Sequence, residues 1–180
     1  MSIMPKKEIY TFEEWLNLDH NEKIEMIDGV IYMMSEPSRR HQKVSRELTL
    51  ELGNFLRGKT CELYVDPFMV RLNKDTVVHP DISIICDKNK LNDRGCIGAP
   101  DLIIEILSPS NAGHDIFTKY NQYLKAGVKE YWIVDPHKNT ITVYILKNDD
   151  YNAQLYFDKD ILPVNVLPDC KIDLKIIFKK

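Results

Sequence analysis

Apolar and polar residues alternate with several different periods along the chain, and each change of period marks an element. Thr11-Phe12-Glu13-Glu14 forms a capping box, in which the Thr11 hydroxyl accepts a backbone N–H and Glu14 reaches back to the cap. It predicts a short helix ending near Asp19. Apolar-rich runs over Glu22–Ile27 and Val30–Met34 flank Asp28-Gly29. That dipeptide supplies the positive φ angles of a two-residue turn, so a β-hairpin is expected. From Ser38 to Leu56 the spacing becomes helical. Val44, Leu48, Leu52, Phe55 and Leu56 line up as one apolar stripe, and Gly58 marks the end.

Strands are expected over Glu62–Arg71 and Val77–Cys86, followed by a polar loop through Gly98. Leu102–Leu107 reads as another strand, closed at Ser108-Pro109-Ser110 because proline cannot continue a ladder. A second amphipathic helix over Gly113–Lys125 places Ile116, Tyr120, Tyr123 and Leu124 on its apolar side, with Gly127 beyond it. Glu130–Val134 and Thr140–Leu146 read as strands joined by a turn at Asp135–Asn139. The tail from Tyr151 to Lys180 offers one more strand and a weakly patterned end. There is no internal repeat and no linker. The order predicts an α/β (α+β) domain with a mixed central sheet flanked by helices.

Composition narrows the partners more than the fold. The 180 residues include 24 basic and 27 acidic ones, a formal charge of −3, with 44% apolar and 28% charged positions. This is an ordinary globular balance, large enough to fold without a metal or a disulfide. The charge argues against a general nucleic-acid coat or a polybasic membrane binder, while leaving room for one basic face. Cys61, Cys86, Cys96 and Cys170 form no C-x-x-C pair, so buried thiols in a reducing compartment are expected. Met1–Tyr10 lacks the apolar centre of a secretory signal, and no apolar run approaches the ~20 residues of a membrane span. A cytoplasmic protein with no membrane partner is the expectation.

Two acids stand where strands should be buried. Glu105 interrupts Leu102-Ile103-Ile104-Glu105-Ile106-Leu107, and Asp81 follows Pro80 ahead of Ile82-Ser83-Ile84-Ile85. An unpaired carboxylate in an apolar strand costs several kcal/mol unless it is paired or meets a cation. Asp101 shares a face with Glu105, but four residues at ~3.3 Å separate them by about 13 Å, too far for one Mg²⁺ with ligands at ~2.1 Å. Glu105 therefore needs a partner on a neighbouring strand, and Asp81 is the best placed. On the following helix Asp115 and Lys119 are i and i+4, close enough to pair. The first turns of that helix would overhang the acidic strand end, bringing Lys119 to the same site.

These residues resemble the PD-(D/E)XK nuclease superfamily. They are more narrowly similar to a family of restriction-endonuclease-like proteins abundant in cyanobacteria and other bacteria. The resemblance rests on Val78-His79-Pro80-Asp81, on Gly98 through Ser110 with Glu105 at its centre, on Asp115-x-x-x-Lys119-x-x-x-Tyr123, and on Gly127 through Pro136. Glu25-Met26-Ile27-Asp28-Gly29 and His41 match the opening pattern. It implies a restriction-endonuclease-like domain with a core over about residues 10–146 and a C-terminal strand extension over 147–180. The superfamily places a lysine two residues beyond the second acid, where this chain has Leu107. The narrower family offers a lysine on the next helix, matched by Lys119.

The function implied is divalent-metal-dependent endonuclease cleavage of phosphodiester bonds in DNA. Asp81 and Glu105 would hold Mg²⁺ or Mn²⁺, and Lys119 would steer the attacking hydroxide. Glu25 and His41 would shape the same pocket. Arg39, Arg40, Lys43 and Arg46 on the first long helix would meet backbone phosphates. By analogy with other nucleases of this fold, a homodimer would make two cuts in a duplex. The alternative is a catalytically weak nuclease-fold protein that binds nucleic acid or protein, a reading that Leu107 keeps open.

Overall fold

The computed structural model describes residues 2–3, 9–18, 23–108 and 114–179, with backbone alone at residues 2, 3, 114 and 115. The first half of the chain contains β1 (Ser2–Ile3), α1 (Phe12–Leu16), β2 (Ile24–Ile27), β3 (Val30–Met33), α2 (Arg39–Leu56), β4 (Glu62–Val65), β5 (Met69–Arg71), β6 (Val77–Val78) and β7 (Ile82–Ile85). A 3-10 turn at Lys88–Lys90 precedes β8 (Leu91–Asn92), β9 (Gly95–Ile97) and β10 (Leu102–Ile106). Then come α3 (His114–Ala126), β11 (Glu130–Asp135), β12 (Thr140–Lys147), β13 (Asp150–Phe157), β14 (Ile161–Pro163), β15 (Lys171–Asp173) and α4 (Leu174–Ile177).

Local chemistry explains most element ends. Thr11 Oγ1 accepts the Glu14 N–H at 3.2 Å while Glu14 Oε2 accepts the Thr11 N–H at 2.9 Å, completing the capping box. The helix stops at Leu16, and Asp19 lies outside the described residues. At the β2–β3 turn Asp28 and Gly29 have φ of 50° and 78°, as the two-residue hairpin requires. Ser38 caps α2 by accepting the His41 N–H, and the stripe Val44, Leu48, Leu52 and Leu56 is buried. Gly127, with φ of 81°, follows α3; the expected helix start at Gly113 and the Pro109-Ser110 strand stop lie outside the described residues.

The mixed α+β class holds, but one central sheet becomes two larger ones. A six-stranded sheet runs β13-β12-β11-β10-β7-β4, a seven-stranded one runs β1-β3-β2-β6-β5-β9-β8, and β14 pairs with β15. The segments expected as single strands over Glu62–Arg71 and Val77–Cys86 are each broken at a proline. Pro67 separates β4 from β5, and Pro80 separates β6 from β7. Neither proline has an N–H for a ladder, so the chain leaves one sheet there and enters the other. The two breaks lie side by side, with the Asp66 N–H donating to the Asp81 carbonyl at 3.1 Å. The polar loop before Gly98 also contains β8 and β9, with β9 beside β5 in the seven-stranded sheet and β8 at its edge.

Two apolar layers sandwich the six-stranded sheet. On one side α2 packs with Ile82, Ile84, Leu102, Ile104, Trp132 and Val134, and with Leu162, Val164, Leu167, Ile172, Leu174 and Ile177 from the C-terminal segment. Residues after 147 thus contribute to this core. On the other side Tyr123 of α3 meets Ile103, Tyr131 and Ile133 together with Val70, Val78 and Cys96.

One cysteine expectation is overturned. Cys61 and Cys86 form a disulfide, leaving Cys96 and Cys170 as buried thiols. The antiparallel β4–β7 register pairs Glu62 with Ile85, which brings the flanking Cys61 and Cys86 opposite each other. Their separation of 25 residues hides that adjacency in the sequence. Among the described residues no helix is long and apolar enough to cross a membrane.

Candidate active site

The pairing of β10 with β7 builds the centre of the site. Ile104 stands opposite Ile82, so the next facing positions are Glu105 and Asp81. Antiparallel neighbours lie only ~4.8 Å apart. The two positions are therefore neighbours across the strands, at the point where the chain switches sheets. Asp81 is held from two sides: its carboxylate accepts the Ile106 N–H at 2.7 Å, and His41 Nε2 lies 3.0 and 3.1 Å from its two oxygens. Contact with a carboxylate requires the His41 proton on Nε2. His41 belongs to the first turn of α2, so the helix that closes the core also orients the acid.

Lys119 joins the two sheets. Its ammonium lies 3.1 Å from Glu105 Oε1 and 2.9 Å from Glu25 Oε1, with a side chain only 6% exposed. A buried ammonium is tolerable only when it is paired in this way. Glu25 comes from β2 in the seven-stranded sheet, is fully buried, and also accepts the His79 N–H at 2.8 Å. The side chain of Asp115, expected to pair with Lys119, lies outside the described residues. Asp101 stays apart from the group, bound to Lys129 at 2.6 Å and accepting the Cys86 N–H at 2.8 Å.

Sequence reasoning missed Tyr123. Its place in the apolar stripe of α3 suggested core packing, yet its hydroxyl donates to Glu105 Oε1 at 2.6 Å. The available signal was its i+4 spacing from Lys119, which puts both side chains on one helix face. Two further polar contacts escaped notice: Gln122 donates to Asp28 at 2.7 Å, and Lys23 pairs with Asp66 at 2.5 Å.

Around these groups lies a cleft of about 340 Å³, lined by Glu25, His41, Asp81, Glu105, Leu107 and Lys119 and walled by α2 through Gln42, Ser45, Arg46 and Thr49. The basic residues of the α2 cluster have different surroundings. Arg46 lines the cleft and also meets Glu47, while Arg39 is exposed. Arg40 instead contacts His137 at 3.2 Å, and Lys43 donates to the Lys179 carbonyl, both in the C-terminal half.

Electrostatics favours a cation here. Burial pushes the Glu105 carboxyl up to about 8; Lys119 opposes the rise, and the nearby Asp81 and Glu25 charges add to it. Among the described residues no three His, Cys, Asp or Glu side chains form a ready-made ion cage. Mg²⁺ seldom needs one, because it usually keeps several waters and takes one or two carboxylates plus substrate phosphate. Asp81 and Glu105, two hard oxygen donors opening into a cleft, fit that pattern. Glu105 Oε2 takes no hydrogen bond within the described residues and remains available for it.

Comparison with known proteins identifies the family and the fold. Over residues 9–175 the chain matches the model of the Uma2 family, described as "Putative restriction endonuclease". The uncharacterized protein slr1290 of Synechocystis sp. is 32% identical over 142 residues, covering 77% of this chain and 74% of that protein. A second uncharacterized Synechocystis protein, sll1609, is 28% identical over 145 residues, covering 75% and 80%. Among solved structures, "a putative nuclease belonging to DUF820" from Anabaena variabilis superposes with a TM-score of 0.79 over 93% of this chain and 97% of that one. At 22% identity that likeness speaks for the fold, which is nuclease-like. By the extent of the family match, this chain belongs to the Uma2 restriction-endonuclease-like family.

Proposed function

We propose that the chain is a divalent-metal-dependent endonuclease that hydrolyses phosphodiester bonds in DNA. The observation that carries this reading is the meeting of Asp81 and Glu105 across β7 and β10, with Lys119 held 3.1 Å from Glu105 inside one cleft. Mg²⁺ or Mn²⁺ held by the two carboxylates would neutralise phosphate charge and lower the pKa of a bound water. The protein's own groups do the rest. His41 and the Ile106 N–H fix Asp81, so its oxygens keep one orientation. Glu25 pairs with the Lys119 ammonium at 2.9 Å and holds it at the cleft, where it stabilises negative charge that develops on phosphate. Arg46 reaches DNA backbone from the cleft wall. A twofold dimer would let two such sites cut both strands of a duplex.

The test is cleavage of supercoiled plasmid with Mg²⁺ or Mn²⁺. Wild type should nick or linearise it, EDTA should stop the reaction, and Asp81→Ala should abolish it. Undiminished cutting by Asp81→Ala would remove the assignment. Leu107 in the cleft favours a second reading, a nuclease-fold module that binds nucleic acid or protein without cutting. Plasmid binding with no cleavage under any divalent cation would select it.

A further inference from the structure

Glu105 presents two oxygens, and the protein treats them differently. Oε1 receives both the Lys119 ammonium at 3.1 Å and the Tyr123 hydroxyl at 2.6 Å. Oε2 receives no hydrogen bond within the described residues. The final torsion of a glutamate side chain is soft, so a carboxylate does not hold one orientation unaided. We infer that Tyr123 is a positioning residue for Glu105: its hydroxyl, donated to Oε1, turns Oε2 into the cleft as the oxygen that meets the divalent cation. This inference rests on the metal-dependent reading above.

Several observations favour that role over simple satisfaction of a buried phenol. Tyr123 is completely buried, so its ring cannot swing to another partner in solvent. Tyr131 packs edge-on against it, with ring centroids 4.9 Å apart and planes at 67°. The neighbouring Gln122 ties α3 to the β2–β3 turn through Asp28 at 2.7 Å, which fixes the position of the helix along its axis. Lys119 and Tyr123, one turn apart, therefore approach Glu105 from a rigid support. A hydroxyl-to-carboxylate bond of this length is a strong, charge-assisted one. Groups that orient a metal's carboxylate ligand in this way typically carry a roughly 10- to 100-fold effect on metal affinity.

Calorimetry with Mn²⁺ on the full-length, metal-free protein tests the inference without relying on cleavage. Wild type should bind the ion, and Glu105→Gln should lose it. Tyr123→Phe should bind roughly 10- to 100-fold more weakly. Tyr144→Phe, which removes a hydroxyl from the same tyrosine cluster away from Glu105, should behave as wild type. Cleavage by Tyr123→Phe should then recover as Mn²⁺ is raised, a rescue that a merely structural defect would not show. Wild-type affinity in Tyr123→Phe, alongside loss in Glu105→Gln, would overturn the positioning role and leave the metal site standing. Absence of Mn²⁺ binding by wild type would overturn both. If circular dichroism shows Tyr123→Phe unfolded, 3-fluorotyrosine at position 123 alone replaces it. A shifted Mn²⁺ affinity then supports the role, and an unchanged one refutes it.

Discussion

A carboxylate inside a strand or beside one needs a reason, and this chain supplies three different ones. Glu105 has Lys119 and Tyr123 at the mouth of a cleft. Glu130 is buried in β11 and accepts from Trp132 Nε1 at 2.8 Å, Asn165 Nδ2 at 3.2 Å and the Val166 N–H at 2.9 Å, pinning the C-terminal loop to the sheet. Asp101 pairs with Lys129 and the Cys86 N–H. For Asp101 burial works to raise the carboxyl, but those two partners outweigh it and hold the value below the ordinary one. The folded protein therefore releases this proton more readily than the unfolded chain. Its contribution is present above the unfolded value of about 3.9 and is lost as pH falls through the lower folded value. Asp101→Asn should be less stable than wild type at pH 6, with the gap in urea midpoint closing toward pH 3; a pH-independent gap would contradict the pairing. Reading the sequence identified Glu105 as an acid needing a partner or a cation, because its apolar neighbours are contiguous. It gave no sign of the loop partners of Glu130, Asn165 and Val166, which lie 35 and 36 residues away.

Among the elements, α2 was the most legible. Its 18 residues keep one apolar stripe, and the expected span matches Arg39–Leu56 with Ser38 as cap. The strands around Pro67 and Pro80 were the least legible, because runs of β-formers show where a strand exists and not which sheet it joins. That ambiguity mattered, since the switch between sheets places Asp81. The polar face of α2 carries a distinction that charge counting misses. Arg46 faces the cleft, whereas Lys43 is engaged by the Lys179 carbonyl. For duplex DNA, Arg46→Ala should lower affinity and reduce the slope of log K against log salt by about 1, the loss of one phosphate contact. Lys43→Ala should leave that slope unchanged. Equal effects of the two substitutions, measured by fluorescence anisotropy over a salt series, would return the cluster to a single face.

At the scale of the molecule, the two larger sheets and the C-terminal segment depend on one another. Leu162, Leu174 and Ile177 are fully buried against the α2 side of the six-stranded sheet. A chain ending at residue 158 should consequently lose cooperative urea unfolding, and a sharp transition in that truncated chain would show the segment to be dispensable. The site is equally distributed. Lys119 reaches back 94 residues to Glu25 and 14 to Glu105, and all three site carboxylates precede it in the chain. On the ribosome the acids emerge first, without the ammonium that draws the two sheets together. The strand that flanks Glu105 on its other side, β11, is made after Lys119. On the function proposed above, a growing chain would lack a complete site until α3 and β11 have been made, and the order of translation would act as a timer on it.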